Sequence, residues 1–143
     1  IGVLLTTSVL SASNAVYSSD ASSGKGWAKF DREMTPIVDA VKGSDQRIFS
    51  TDETLMNYFE WKGVKVSYDM RPEIWAKSIA GDTTHDDYKR YVDIVNAKSF
   101  KSLNDGYWNV AIIRKDEQKL FKKEVKKSEK VISTSQYCLY RLG

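Results

Sequence analysis

Three charged residues alternate in the segment VSYDMRPEIW, Val66 to Trp75: Asp69, Arg71 and Glu73. A carboxylate beside a guanidinium is a pairing that grips polar ligands through charge-assisted hydrogen bonds. Tyr58, Glu60 and Trp61 stand just before this segment, and Tyr68 and Trp75 lie within it. Flat aromatic faces for a sugar ring and polar groups for its hydroxyls therefore occur close together. The same residues have a purely structural use. Arg71 could pair with Asp69 or Glu73, or bond exposed carbonyls, and so fasten the exit of a strand. Pro72 favours an extended Arg71, which suits either use. No nucleophile stands nearby, and this weighs toward fastening.

His85 is the sole histidine and sits in TTHDDY beside Asp86 and Asp87. Neighbours on a helix point in different directions, so only one of these carboxylates could join the imidazole at a metal. A solvated helix start, with acids at the positive end of the dipole, accounts for all three residues. No metal site is expected. A single histidine gives Ser–His catalysis one candidate base without a supporting signature, and there is no GxSxG elbow or glycine-rich phosphate loop. No catalytic residue and no cofactor are assigned.

The chain has 143 residues, 41% hydrophobic and 29% charged, which fits one ordinary globular domain. Twenty-two Lys and Arg against nineteen Asp and Glu leave a net charge of +3. Without a concentrated patch that charge argues for no nucleic-acid partner. Cys138 is the only cysteine, which excludes an internal disulfide and a CxxC pair. Such usage suits a bacterial protein, cytoplasmic or exported.

Residues 27–143 read as a single α/β domain, preceded by an apolar run and a linker over 1–26. Met34, Ile37, Val38 and Val41 recur on one helical face that Gly43 ends. RIFS (47–50) reads as a strand, and Ser50 with Glu53 has capping-box spacing for the next helix. Leu55 and Phe59 share a face of that helix, Gly63 stops it, and Val64–Asp69 alternates like a half-buried strand. Thr84 to Asp87 repeats the capping spacing, ahead of Tyr88, Tyr91, Val92 and Val95 at helical period. Trp108–Arg114 is the most apolar strand, placed centrally because it lacks alternation. Asp116 is expected to cap a lysine-rich helix reaching Lys127, with Leu120, Phe121 and Val125 toward the sheet. Arg114 to Lys130 holds eight basic residues against four acidic ones, a solvated face or a surface for anionic lipid or wall polymer. KVIST and YCLYRL form a hairpin around Ser135 and Gln136. The order α-β-α-β-α-β-α-β-β predicts a layered sandwich, with a mainly parallel sheet, helices on its faces and a C-terminal antiparallel hairpin.

Five segments carry a further signal: YFEWKG at 58–63, VSYDMRPEIW at 66–75, DDYKRYVDIV at 86–95, WNVAIIRKD at 108–116 and YCLYRL at 137–142. In this order they resemble the C-terminal extracytoplasmic domain of bacterial polytopic membrane glycosyltransferases of the lipid-phosphosugar-dependent type. The resemblance covers roughly residues 30–142, and Met56–Asn57 stand where that family has a glycine before the tyrosine. It implies that the last membrane helix runs into Ile1–Leu10, and that the family's catalytic carboxylate lies in an early extracytoplasmic loop not included in this fragment. Asp69 and Arg71 match the family's D-x-R, a recurring structural or binding element.

The function expected is a non-catalytic accessory domain on the extracytoplasmic face of the bacterial membrane. Its partners would be the membrane-embedded remainder of the same chain and a glycan or cell-wall polymer. Two alternatives stand beside it. One is a free-standing exported binding protein, with Ile1–Leu10 as a signal-peptide core cleaved after Ala15. The other is a small hydrolase or transferase using Asp69, Glu73 or His85.

Overall fold

The computed structural model describes residues 25–68, Arg71 and residues 82–143, and among these described residues it has four short strands and four helices. The apolar run Ile1–Leu10, the residues Asp69, Glu73 and Trp75, and the His85 side chain lie outside the described residues.

The chain divides into two compact units after Pro36. Helix α1, Lys25–Val41, begins two residues inside the segment read as linker. In the first unit Trp27 and Phe30 meet at 5.9 Å between ring centroids, and the Thr35 hydroxyl donates to the Asp31 carbonyl (2.8 Å). Pro36 lacks the amide that would bond the Arg32 carbonyl. In the second unit Ile37, Val38 and Val41 are buried, as their spacing requires, and Gly43 takes the left-handed conformation (φ 76°) past the helix end.

The second unit is built on a sheet of β1 (Ile48–Phe49), β2 (Val110–Arg114), β3 (Ser128–Ser133) and β4 (Tyr137–Leu142), in the order β1-β2-β4-β3. Among the described residues it also has helices α2 (Glu53–Trp61), α3 (Asp82–Ala97) and α4 (Gln118–Glu124) and a 3-10 turn at Lys101–Asp105. Strand β2 is buried from Val110 to Ile113 and has a neighbour on each side, which is why it shows no alternation. The hairpin forms where expected, closed by the Thr134 amide on the Tyr137 carbonyl (2.8 Å). Its register shifts between Lys130 and Ile132, leaving Val131 as a bulge that is 42% exposed.

The expectation of a mainly parallel sheet is corrected. Among the described residues only β1 and β2 pair in parallel, and both ladders of β4 are antiparallel. The main reason is that Val64–Tyr68 is not a strand. Tyr68 instead reaches the end of β1 with its side chain. Its hydroxyl donates to the Ser50 carbonyl (2.9 Å) and accepts from the Ser50 amide (2.7 Å). One phenolic oxygen satisfies the donor and the acceptor that a neighbouring strand would have satisfied.

The capping residues also differ. Ser50 is fully buried and its hydroxyl accepts from the Asp52 amide (3.2 Å), so Asp52 is the N-cap of α2, accepting from the Leu55 amide (3.3 Å). Glu53 then stands in the first turn and accepts from the Tyr91 hydroxyl (2.7 Å). Helix α3 buries Asp87, Tyr91 and Ile94, whereas Val95 is 36% exposed. Asp116 is paired with Arg114 and does not cap α4, and Leu120 is 38% exposed while Phe121 and Val125 are buried.

The core of this unit is aromatic. Tyr68 stacks on Tyr91 at 4.2 Å and 21°, and meets Trp108 edge-on at 5.8 Å. Phe49 packs against Trp108 (5.6 Å) and Phe100 (6.3 Å), and Phe121 joins Phe100 to Tyr140. Such pairs add about 0.5–1.5 kcal/mol each beyond area burial.

Tyr68→Phe keeps the ring stack but leaves a buried amide and carbonyl of Ser50 without their partner. Stability should fall by about 1–3 kcal/mol, read from urea unfolding monitored by circular dichroism. An unchanged midpoint would show that the hydroxyl bridge contributes nothing.

Candidate functional site

The last turn of α2 gathers most of the sequence-nominated residues that are described. Gly63, at φ 77°, donates its amide to the Glu60 carbonyl (2.9 Å), and the Val64 amide reaches the Phe59 carbonyl (2.9 Å). This is a Schellman closure, sealed by the buried pair Phe59 and Val64. It fixes the direction of the residues just before it. Trp61 is 65% exposed, its indole 6.1 Å from the Tyr58 ring. The Lys62 ammonium lies 4.7 Å from the indole centroid.

Arg71 brings its guanidinium to this turn, with Nη2 at 2.9 and 2.7 Å from the two Glu60 oxygens. The fastening partner seen is thus Glu60, eleven residues earlier. The partners nominated from sequence, Asp69 and Glu73, lie outside the described residues, as does Trp75. Tyr58 is buried apart from a 4% margin. The sequence reads Tyr68 as a flat face for a sugar. It is fully buried and its hydroxyl is committed to Ser50, so it offers no face to a ligand. The surface that remains is Trp61 with Glu60, Lys62 and Arg71: an indole plane beside one carboxylate and two cations.

A second polar cluster, not nominated from the sequence, stands where β1 and β2 begin. The Tyr107 ring has the Arg47 guanidinium 4.6 Å and the Arg90 guanidinium 3.9 Å from its centroid. Its hydroxyl donates to Asp87, which is 8% exposed and lies 3.7 Å from the Arg47 Nε. Asp87 is therefore no solvated helix-start acid; the sequence offered only its place on the Tyr91–Ile94 face as a hint. Arg90 also bonds Asp105 (2.7 Å), whose other oxygen accepts from the Tyr107 amide (2.9 Å). A cleft of about 440 Å³ adjoins this cluster, with Lys89–Asp93 and Arg90–Asp105 paired along its wall. Opposite charges cancel across it, and the cluster serves to tie α3 to the segment entering β2.

No protein-family model matches the chain, and no curated protein or solved structure matches it. Among the described residues no group of three or more His, Cys, Asp and Glu side chains is placed to hold a metal ion.

Two predictions follow from these contacts. The side chains of Arg71 and Glu60 are about half exposed, 48% and 51%, so water screens their attraction. Arg71→Ala should lower stability by no more than about 1 kcal/mol, measured as a shift in denaturant midpoint. A larger loss would mean that Arg71 organises more of the fold than this turn. The tyrosines give a pH dependence. Burial, and then the Asp87 hydrogen bond, pushes Tyr107 up to about 12. Burial raises Tyr68 and Tyr91 further, with the Glu53 hydrogen bond adding to Tyr91. A phenol whose folded pKa is raised contributes stability that is complete below its unfolded value near 10 and is lost above it. Unfolding free energy should hold up to about pH 10, then fall by up to about 1.4 kcal/mol per pH unit for each tyrosine kept protonated. Near-ultraviolet tyrosinate absorbance should stay short of the full complement of eight tyrosines while the fold lasts and complete its rise on unfolding; full ionisation with the fold intact would refute this.

Proposed function

We propose that this chain is a non-catalytic accessory domain that contacts a glycan or cell-wall acceptor through the last turn of α2. The supporting observation is the 65% exposure of Trp61 on a turn closed by Gly63. An indole costs free energy when left in water. A sugar presents an apolar C–H face to such a ring and hydroxyls to its rim. Glu60 accepts from those hydroxyls, and Arg71 and Lys62 donate. Binding of this kind needs no nucleophile and no proton transfer.

The setting proposed is the extracytoplasmic side of a bacterial membrane glycosyltransferase-like protein, whose membrane-embedded remainder would be the first partner. Its support is the ordered resemblance of the five sequence segments. YFEWKG forms the closed turn that displays Trp61, WNVAIIRKD contains β2 and YCLYRL is β4. Among the described residues no helix is long and apolar enough to cross a membrane.

The test is a titration of intrinsic tryptophan fluorescence with soluble cell-wall glycan fragments. Saturable quenching is expected for the parent domain, with affinity weakened roughly tenfold or more in Trp61→Ala, a loss of about 1.4 kcal/mol. Since Trp61 is exposed, the variant should melt close to the parent. Equal binding by Trp61→Ala, or no saturable binding by either, overturns the proposal.

A further inference from the structure

The carboxyl ends of the parallel pair β1 and β2 open into a different cavity. In α/β sheets this is the edge where strand-to-helix connections diverge and leave room for ligands. The cavity has a volume of about 370 Å³, at the small end of the range for ligand pockets. Its apolar lining comes from separate elements: Val95 on α3, Phe100 after it and Leu120 on α4. Phe100 is buried at its base, whereas Val95 and Leu120 are 36% and 38% exposed. Large apolar side chains left in water around one hollow mark a surface that gains by being covered.

The charged lining is specific. Lys98, Arg114 and Glu117 all face this cavity. Arg114 is held by Asp116, and Glu117 accepts the Thr51 hydroxyl (2.6 Å). Lys98 differs from both: among the described residues its ammonium has no hydrogen bond or ion pair. Its backbone is unusual too. Lys98 has φ 48°, just past the end of α3, while the other positive-φ positions among the described residues are the glycines Gly43, Gly63 and Gly106. Glycine takes that conformation without a Cβ penalty, and lysine does not. The chain thus keeps a charged side chain at a strained position beside an apolar hollow. Arg114 is already compensated by Asp116, so the charge available to a ligand is the Lys98 ammonium, which matches a carboxylate head and disfavours a cation.

We propose that this cavity binds a small amphiphilic monocarboxylate, its apolar body against Val95, Phe100 and Leu120 and its head on Lys98. Burying the tail supplies most of the affinity. The charge-assisted bond to Lys98 sets the head group. The site shares no residue with the α2 turn, so it stands or falls independently of glycan binding.

Octanoate serves as the probe, titrated into the chain and followed by calorimetry and by backbone amide shifts. One octanoate per chain is expected, with shifts centred on residues 94–100 and 114–120. Octylammonium and the dianion suberate should each bind roughly tenfold more weakly or worse, as for a mismatched or unpaired charge of about 1.4 kcal/mol. Lys98→Gly relieves the backbone and should melt no lower than the parent while losing roughly tenfold in octanoate affinity. Leu120→Ser, on an exposed position, should weaken octanoate without altering its preference over octylammonium. Absence of saturable octanoate binding, equal affinity for octylammonium, or undiminished binding by Lys98→Gly would each overturn the proposal.

Discussion

The hydroxyl of Tyr68 on the backbone of Ser50 is the contact on which the neighbouring structure depends. Ser50 has no accessible surface, and its amide and carbonyl would otherwise stand buried without partners at the end of β1. With that point held, the next three residues each tie down a different element. Thr51 bonds Glu117 before α4, Asp52 accepts from the Tyr137 hydroxyl of β4 (2.5 Å), and Glu53 accepts from Tyr91 of α3. Four consecutive residues thus join the parallel strand to two helices and the hairpin. Each bond has one member in the N-terminal turn of α2 or just before it, so the start of that helix and the shape of the sheet are set together.

The aromatic rings make this arrangement rigid. Tyr68 is clamped between the Tyr91 face and the Trp108 edge, so its hydroxyl cannot swing away from Ser50 without breaking the stack. A ring with two rotatable bonds gives up little entropy on being fixed, compared with a strand whose every residue must be ordered. The side chain therefore replaces a stretch of sheet at modest conformational cost, and β1 survives as a two-residue strand.

Elements governed by near neighbours were legible in the sequence. The unbroken apolar run of β2, the turn between β3 and β4 and the glycine stops at Gly43 and Gly63 all depend on residues a few positions apart, and all appear as read. Interactions over longer separations were not. The alternation at Val64–Tyr68 is real, since Val64 and Tyr68 are both buried, but it records an anchor and not a strand; periodicity reports burial and cannot say which backbone is paired. The Arg71–Glu60 pair and the Tyr107–Asp87 bond span eleven and twenty residues, and no local pattern chooses such partners. Lys98 carries no sequence signal for another reason. A single lysine after a helix is ordinary composition, and only its left-handed backbone and the hollow beside it make it unusual.

Strand β3 lies at one margin of the sheet, where a row of unpaired backbone groups could recruit another chain. The bulge at Val131 breaks the spacing of that row and sharpens its twist, and Glu129 and Lys130 beside it are exposed and oppositely charged. An incoming strand would have to match an irregular ladder and bury both charges. The hairpin thereby limits its own capacity to template the addition of a further strand.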